Sequence, residues 1–189
     1  MEREKNIYDL LLGNINYLKE YYDNMIESIE FERYMKPSSY LIARNYSVII
    51  QSLNYASSSL EKWFKRVENN LSDRVCVVHN NLSLDHFIFS DKPYLISFDR
   101  AMVDTPVLDL YILYKKEFNN LNFDLLFNEY NNIFSLSEDE KLLFYILISI
   151  TPKIEIYNDE FNDCININFV FKYIYKTLKF INKNNDLQL

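Results

Sequence analysis

Residues 77–110 read VVHNNLSLDHFIFSDKPYLISFDRAMVDTPVLDL. His79 follows a short apolar, β-branched run, Arg74–Val78 (RVCVV), whose composition predicts a buried strand. Phe87–Phe89 and Tyr94–Phe98 predict two more short strands, joined as a hairpin by the turn Ser90-Asp91-Lys92-Pro93. Asp99 comes directly after the last strand, and Asp109 lies one helical turn past Pro106. Polar groups at the ends of neighbouring strands converge, because the apolar strands fix the backbone and the loops face a cleft. From spacing alone the stretch describes equally well a hairpin with ordinary polar ends.

Outside this stretch the periodicity is helical. Ile7, Leu10, Leu11, Ile15, Leu18, Tyr22, Met25, Ile26 and Ile29 recur at helical spacing, predicting one amphipathic helix over about 6–32. Pro37 interrupts the chain, and Ser38 or Ser39 is placed to cap a second helical region running, with a possible break, to about Glu68. Helices are predicted again over 106–118, 122–134, 138–150 and 165–182, with Pro106 suited to a first turn. Ser137 followed by Glu140 has the spacing of a capping box. The polar tail NKNNDLQL predicts a frayed end. The fold class is therefore mainly α with a small β-hairpin element, in one domain over 1–189: helical over 1–70, short strands over 74–98, helical over 106–182.

Composition narrows the function. The 189 residues carry a net charge of −7, which argues against a nucleic-acid partner, since such binding needs a basic footprint. The longest apolar run, Leu142–Ile150, is too short to span a membrane and reads as a buried helix. The start, MEREKN, lacks the apolar core of a signal peptide, so an intracellular, cytoplasmic protein is expected. Cys76 and Cys164 read as reduced core thiols. Gly13 is the only glycine, which excludes glycine-rich phosphate loops. His79 and His86 are the only histidines, too few for an ordinary zinc cluster. The sixteen tyrosines and fourteen phenylalanines read as core and interface packing.

The spacing within 77–110 resembles the catalytic core of the aminoglycoside phosphotransferase and choline kinase superfamily. There the loop reads His-Gly-Asp and, after four intervening residues, Asn, then a hairpin, an Asp closing the last strand, an Asp-Pro and a Tyr-Asp-Leu. His79 matches the loop histidine and Asp99 the metal-binding aspartate; Thr105-Pro106 and Leu108-Asp109-Leu110 match the helix start, two residues closer than in many members. Within the superfamily the chain looks most like the spore-coat kinase-like proteins of Firmicutes, of the CotS and YutH type. It shares with them a Leu-Ser-x-Asp-His-Phe run (82–87), an Asp-x-Ala-x-Val-Asp-x-Pro run (99–106) and the TPKIEI stretch, Thr151–Ile156. The resemblance implies the large lobe of a protein kinase-like fold, with the small ATP-binding lobe absent, and in it Asp109 typically braces the catalytic loop.

The departures from that pattern bear on activity. The catalytic aspartate position is Asn81, and an amide cannot take a proton from an attacking hydroxyl. The glycine position is Asn80, and the second metal-ligand position is His86, a poor magnesium ligand. Asp99 is the remaining candidate for magnesium, and His79 reads as structural, its ring bonding loop backbone. Asp104 reads as a solvated turn residue or helix cap. The expectation is a catalytically inactive kinase-like protein with a structural or interaction role, associated through the resemblance with the spore coat. No cofactor is expected, with ATP and magnesium the alternative. The partner is expected to be another protein, or a second copy of the chain, covering the exposed lobe face. The alternatives left open are a phosphotransferase lobe completed by a separate chain, a gene fragment, and an unrelated helical interaction domain.

Overall fold

The computed structural model describes residues 2–69, 74–157 and 159–184. Its elements run α1 (Glu2–Glu30), α2 (Pro37–Val67), β1 (Cys76–Val78), β2 (Phe87–Ile88), β3 (Tyr94–Leu95), β4 (Met102–Asp104), α3 (Val107–Glu117), α4 (Phe123–Ile133), α5 (Glu138–Ser149) and α6 (Glu160–Asn184). Mainly helical with a small β element is thus the architecture. Single helical turns of the tighter 3-10 type occupy Leu84–His86 and Phe98–Arg100.

The first two helices pair along their length because each carries an apolar stripe at three- and four-residue spacing. Leu11, Ile15, Leu18, Tyr22 and Ile29 of α1 join Ile42, Ile49, Leu53, Leu60 and Trp63 of α2 in one core. α2 is a single unbroken helix, and its cap is Lys36 with Pro37 in the first turn, so Ser38 and Ser39 lie inside the helix instead of capping it. Carboxylates from elsewhere serve the helix start: Glu160 accepts from the Ser38 N–H (2.5 Å) and hydroxyl (3.0 Å), and Glu32 accepts from the Lys36 N–H (3.3 Å).

α5 is apolar nearly all round, and Leu142, Leu143, Phe144, Tyr145, Ile146 and Ile148 are all buried, so it forms the centre, packing on α2, α3 and α6. The capping box at Ser137 and Glu140 starts it. Around Tyr114 of α3, the rings of Phe123, Phe144, Tyr173 and Phe180 meet at centroid distances of 4.7, 6.1, 5.7 and 5.9 Å. The buried Tyr114 hydroxyl bonds Thr177 at 2.9 Å, and burial pushes its pKa up to about 12. α6 begins five residues earlier than periodicity predicts, because Glu160 is anchored to the α2 start. Between α5 and α6, the Tyr22 hydroxyl donates to the Pro152 carbonyl (2.6 Å) and accepts from the Ile154 N–H (3.1 Å), while Tyr21 donates to the Ile154 carbonyl (2.6 Å). These bonds pin an irregular segment onto α1.

The strand region departs more from expectation. The β1 run is not buried: Val78 points inward at 1% exposure, but Val77 is 71% and Val75 45% exposed. A strand in a two-stranded sheet has packing behind one face only, so alternation sends every second residue to solvent. Its partner is β4, in a stretch to which the sequence reading assigns no element, with Cys76, Val77 and Val78 opposite Asp104, Val103 and Met102. β2 and β3 form the expected hairpin, Phe87 opposite Leu95 and Ile88 opposite Tyr94. It ends early because Ser97 adopts a left-handed conformation (φ 67), which turns the chain out of the ladder. Cys76 and Cys164 are free but half-buried, not core residues. Among the described residues no helix is long and apolar enough to cross a membrane. The tail residues 185–189 and Ser72, where the strand texture begins, lie outside the described residues.

Candidate functional site

Three polar side chains of α3 hold the loop between β1 and β2. The Asp109 carboxylate accepts from the N–H groups of His79 (2.7 Å) and Asn80 (2.8 Å). Seven residues on, and so on the same face of the helix, the Lys116 ammonium donates to the Asn81 carbonyl (3.0 Å) and to its side-chain Oδ1 (2.7 Å). Glu117, buried at 7% exposure, accepts from the Leu84 N–H (3.2 Å) and from the Asn120 amide (2.9 Å). Asn80 is in the left-handed region (φ 56), where asparagine is among the few tolerated side chains, and this turn presents both N–H groups to Asp109.

The His79 ring is buried, at 2% exposure. Its Nε2 lies 2.7 Å from the Ile96 carbonyl. A carbonyl only accepts, so Nε2 carries a proton, and Nδ1 sits buried without a hydrogen-bond partner among the described residues. Phe98 meets the ring edge-on at 4.9 Å, and His86 lies at 5.2 Å. The His86 carbonyl accepts from the Ile96 N–H (3.0 Å), so the Ile96 peptide ties both histidines to the hairpin. The His86 Nδ1 is 3.4 Å from the Ser83 hydroxyl.

Asp99 stands apart. It sits in a 3-10 turn instead of directly closing a strand, its side chain is 73% exposed, and it pairs with Arg100, whose Nε is 4.0 Å away. No hydrogen bond or ion pair joins it to His79, Asn81 or His86 among the described residues. Asp104 is neither a solvated turn residue nor a helix cap: it closes β4, pairs with Arg3 of α1 and accepts from the Thr105 N–H at 2.6 Å. The structure therefore gathers His79, Asn80, Asn81 and His86 around Asp109, Lys116 and Ile96, while Asp99 bonds to none of them among the described residues. Sequence reasoning missed Lys116 and Glu117. The signal that could have found Lys116 is its seven-residue spacing from Asp109.

A magnesium ion bridged by loop oxygens does not fit this donor set. The Asn81 oxygen is engaged by an ammonium, position 86 offers nitrogen, and Asp99 is a single exposed carboxylate beside a guanidinium. No group of three or more His, Cys, Asp or Glu side chains is arranged to hold a metal among the described residues. Two cavities, of about 720 and 510 Å³, open elsewhere. One lies between α1, the α2 start and α6, beside Glu32, Ser39 and Glu160; the other is beside Arg3, Trp63, Arg74 and Glu140. Neither is lined by His79, Asn81, His86 or Asp99.

No curated protein and no solved structure matches the chain. A family model described as "APH: Phosphotransferase enzyme family" matches residues 29–135, from the end of α1 through α2, the loop, both small sheets, α3 and α4. The match covers more than half of the sequence and includes every residue that Asp109 and Lys116 hold in place. This chain belongs to the phosphotransferase enzyme family.

Proposed function

We propose that this chain is a kinase-like lobe that has lost phosphoryl transfer and acts by contact with other proteins, with spore-coat association as the finer reading suggested by resemblance. The observation that carries the proposal is the Asn81–Lys116 pair. In phosphoryl transfer a carboxylate orients the attacking hydroxyl and takes its proton. A carboxamide has no such basicity, and here its oxygen already accepts from Lys116 at 2.7 Å. A carboxylate restored at position 81 would meet the same ammonium and be neutralised by it before it met a substrate hydroxyl. His86 at the second metal position and the isolated Asp99 support the same reading.

The interaction role draws its support from the strand region. Val77 and Val103 lie opposite each other on β1 and β4 and are 71% and 64% exposed; Phe89 is 79% and Phe98 52% exposed. Apolar side chains concentrated on one short segment mark a contact surface. The partner this supports is a protein or a second copy of the chain, and the localisation is the cytoplasm or the spore coat.

Calorimetric titration with ATP and magnesium, run on the wild type, Asp99→Ala and Asn81→Asp and followed by a phosphotransfer assay, tests the proposal. We expect no saturable heat at millimolar nucleotide in any of the three. We also expect no turnover by Asn81→Asp, because Lys116 neutralises the new carboxylate. Wild-type binding that Asp99→Ala abolishes, accompanied by turnover, would overturn the reading.

A further inference from the structure

The geometry points to a small-anion site on the side of α3 that the loop does not use. A cavity of about 220 Å³ opens between α1, α3, the segment 150–153 and α6, with Asn14, Tyr17, Tyr111, Lys115, Thr151 and Lys153 among its polar lining; the Tyr173 hydroxyl, also in the lining, donates to the Ile148 carbonyl (2.8 Å). Every one of these groups can donate a hydrogen bond, and no carboxylate lines the cavity. In a chain of net charge −7, a cavity with two ammonium groups and no acid in its wall is selective for negative charge. Glu155 acts on Lys153 electrostatically, but from outside the lining.

Several of the donors are unused. The Lys115 ammonium, the Tyr111 hydroxyl and the Asn14 amide make no hydrogen bond or ion pair among the described residues. Thr151 is 2% exposed and its Oγ1 has no hydrogen-bond partner among the described residues. The Tyr22 hydroxyl, on which Thr151 acts, already donates to the Pro152 carbonyl and accepts from the Ile154 N–H. A buried hydroxyl without a partner is costly, and an accepting oxygen in the cavity would relieve it. Tyr111 and Lys115 stand four residues apart and so share one helix face. Across from them Lys153 is fixed by donating to the Tyr17 hydroxyl at 2.9 Å and by lying over the Tyr17 and Tyr21 rings at 5.4 and 4.5 Å.

The volume is that of about seven water molecules, which suits inorganic phosphate, a small phosphate monoester or a small carboxylic acid, and is too small for a nucleotide. The site does not rest on the loop reading, since Lys116 and Asp109 take no part in it.

The test is calorimetric titration of the whole chain with inorganic phosphate, with acetate and with trimethylammonium chloride. We expect saturable binding of an anion, weakened about tenfold or more in Lys115→Met and in Thr151→Val. Lys92→Met, which removes one ammonium from the exposed hairpin turn, should leave it unchanged. Phosphate bound without acetate assigns the phosphate class, and acetate bound without phosphate assigns the carboxylate class. Melting temperatures of the two variants matching the wild type separate loss of the site from loss of the fold. Absence of saturable binding by either anion overturns the proposal. So does anion binding that Lys115→Met and Thr151→Val leave intact, or preferential binding of trimethylammonium.

Discussion

Two regions of this chain are built on opposite terms. In the helical region, side chains such as Ile15, Ile49, Phe144 and Ile167 are wholly enclosed, and each helix is covered on its apolar stripe by another. In the strand region, residues 75–103, two separate two-stranded sheets expose much of their apolar content, and Val78 and His79 are among the few residues drawn inward. What holds the second region is polar: Asp109, Lys116 and Glu117 reach out from α3 to its backbone, and Arg3 and Arg74 clasp its ends. Hydrophobic burial thus sets stability in one region, while hydrogen bonds to a few charged groups set geometry in the other.

The largest expected effect tests the first half of that contrast. Phe144 is fully buried and its ring contacts Tyr114, Phe127, Tyr145 and Phe180. Phe144→Ala should cost about 3–5 kcal/mol in urea unfolding, from lost transfer energy and the cavity left behind. A loss below about 1 kcal/mol would mean that the helical core does not govern stability.

The same contrast explains what the sequence made legible. Helices reveal themselves through repeated apolar spacing, so the six among the described residues are readable; the largest errors are at two starts, α1 by four residues and α6 by five, the latter where Glu160 is anchored to the α2 start. The capping box at Ser137 is local and reads directly. β1 was misjudged because a β-branched run says that a strand forms without saying how many layers cover it. β4 is three residues long, too short for period-two alternation to register. At the loop, the motif positions could be aligned by resemblance, but Lys116 and Glu117 are ordinary charges on an amphipathic helix until folding brings the loop over them.

A smaller effect is expected at the junction of the two regions. Arg74, just before β1, donates to the Glu140 carboxylate and the Ser135 carbonyl and lies 4.3 Å from the centre of the Phe134 ring. Burial pushes the Glu140 carboxyl up, but the bonds from Arg74 and from the Ser137 N–H outweigh it and hold its pKa below the usual value. A group depressed in the folded state contributes stability above its unfolded pKa, and loses that contribution as pH falls through the folded pKa. Glu140→Gln should therefore cost about 1 kcal/mol at neutral pH, a modest figure because the Arg74 side chain is 43% exposed. The gap between variant and wild type should close as unfolding is repeated at progressively more acidic pH. A gap that stays constant with pH would place the role of Glu140 in helix capping alone.

The smallest effect is the most informative about the strand region. Val77 is 71% exposed and faces Val103, itself 64% exposed, across the β1–β4 pair. In an isolated chain, Val77→Ala removes methyl groups that already contact water, so the change in unfolding free energy should stay within about 0.5 kcal/mol. The argument holds only while the surface is open. If a second copy covers it, Val77 becomes a core residue of the assembly, and truncation should carry a cost that grows with protein concentration. Unfolding followed at two widely separated concentrations, with sedimentation at each, distinguishes the cases. A small, concentration-independent change keeps the contrast between the two regions and directs the search to a different protein. A larger cost that appears only at the higher concentration would make the strand region a second hydrophobic core, completed between chains.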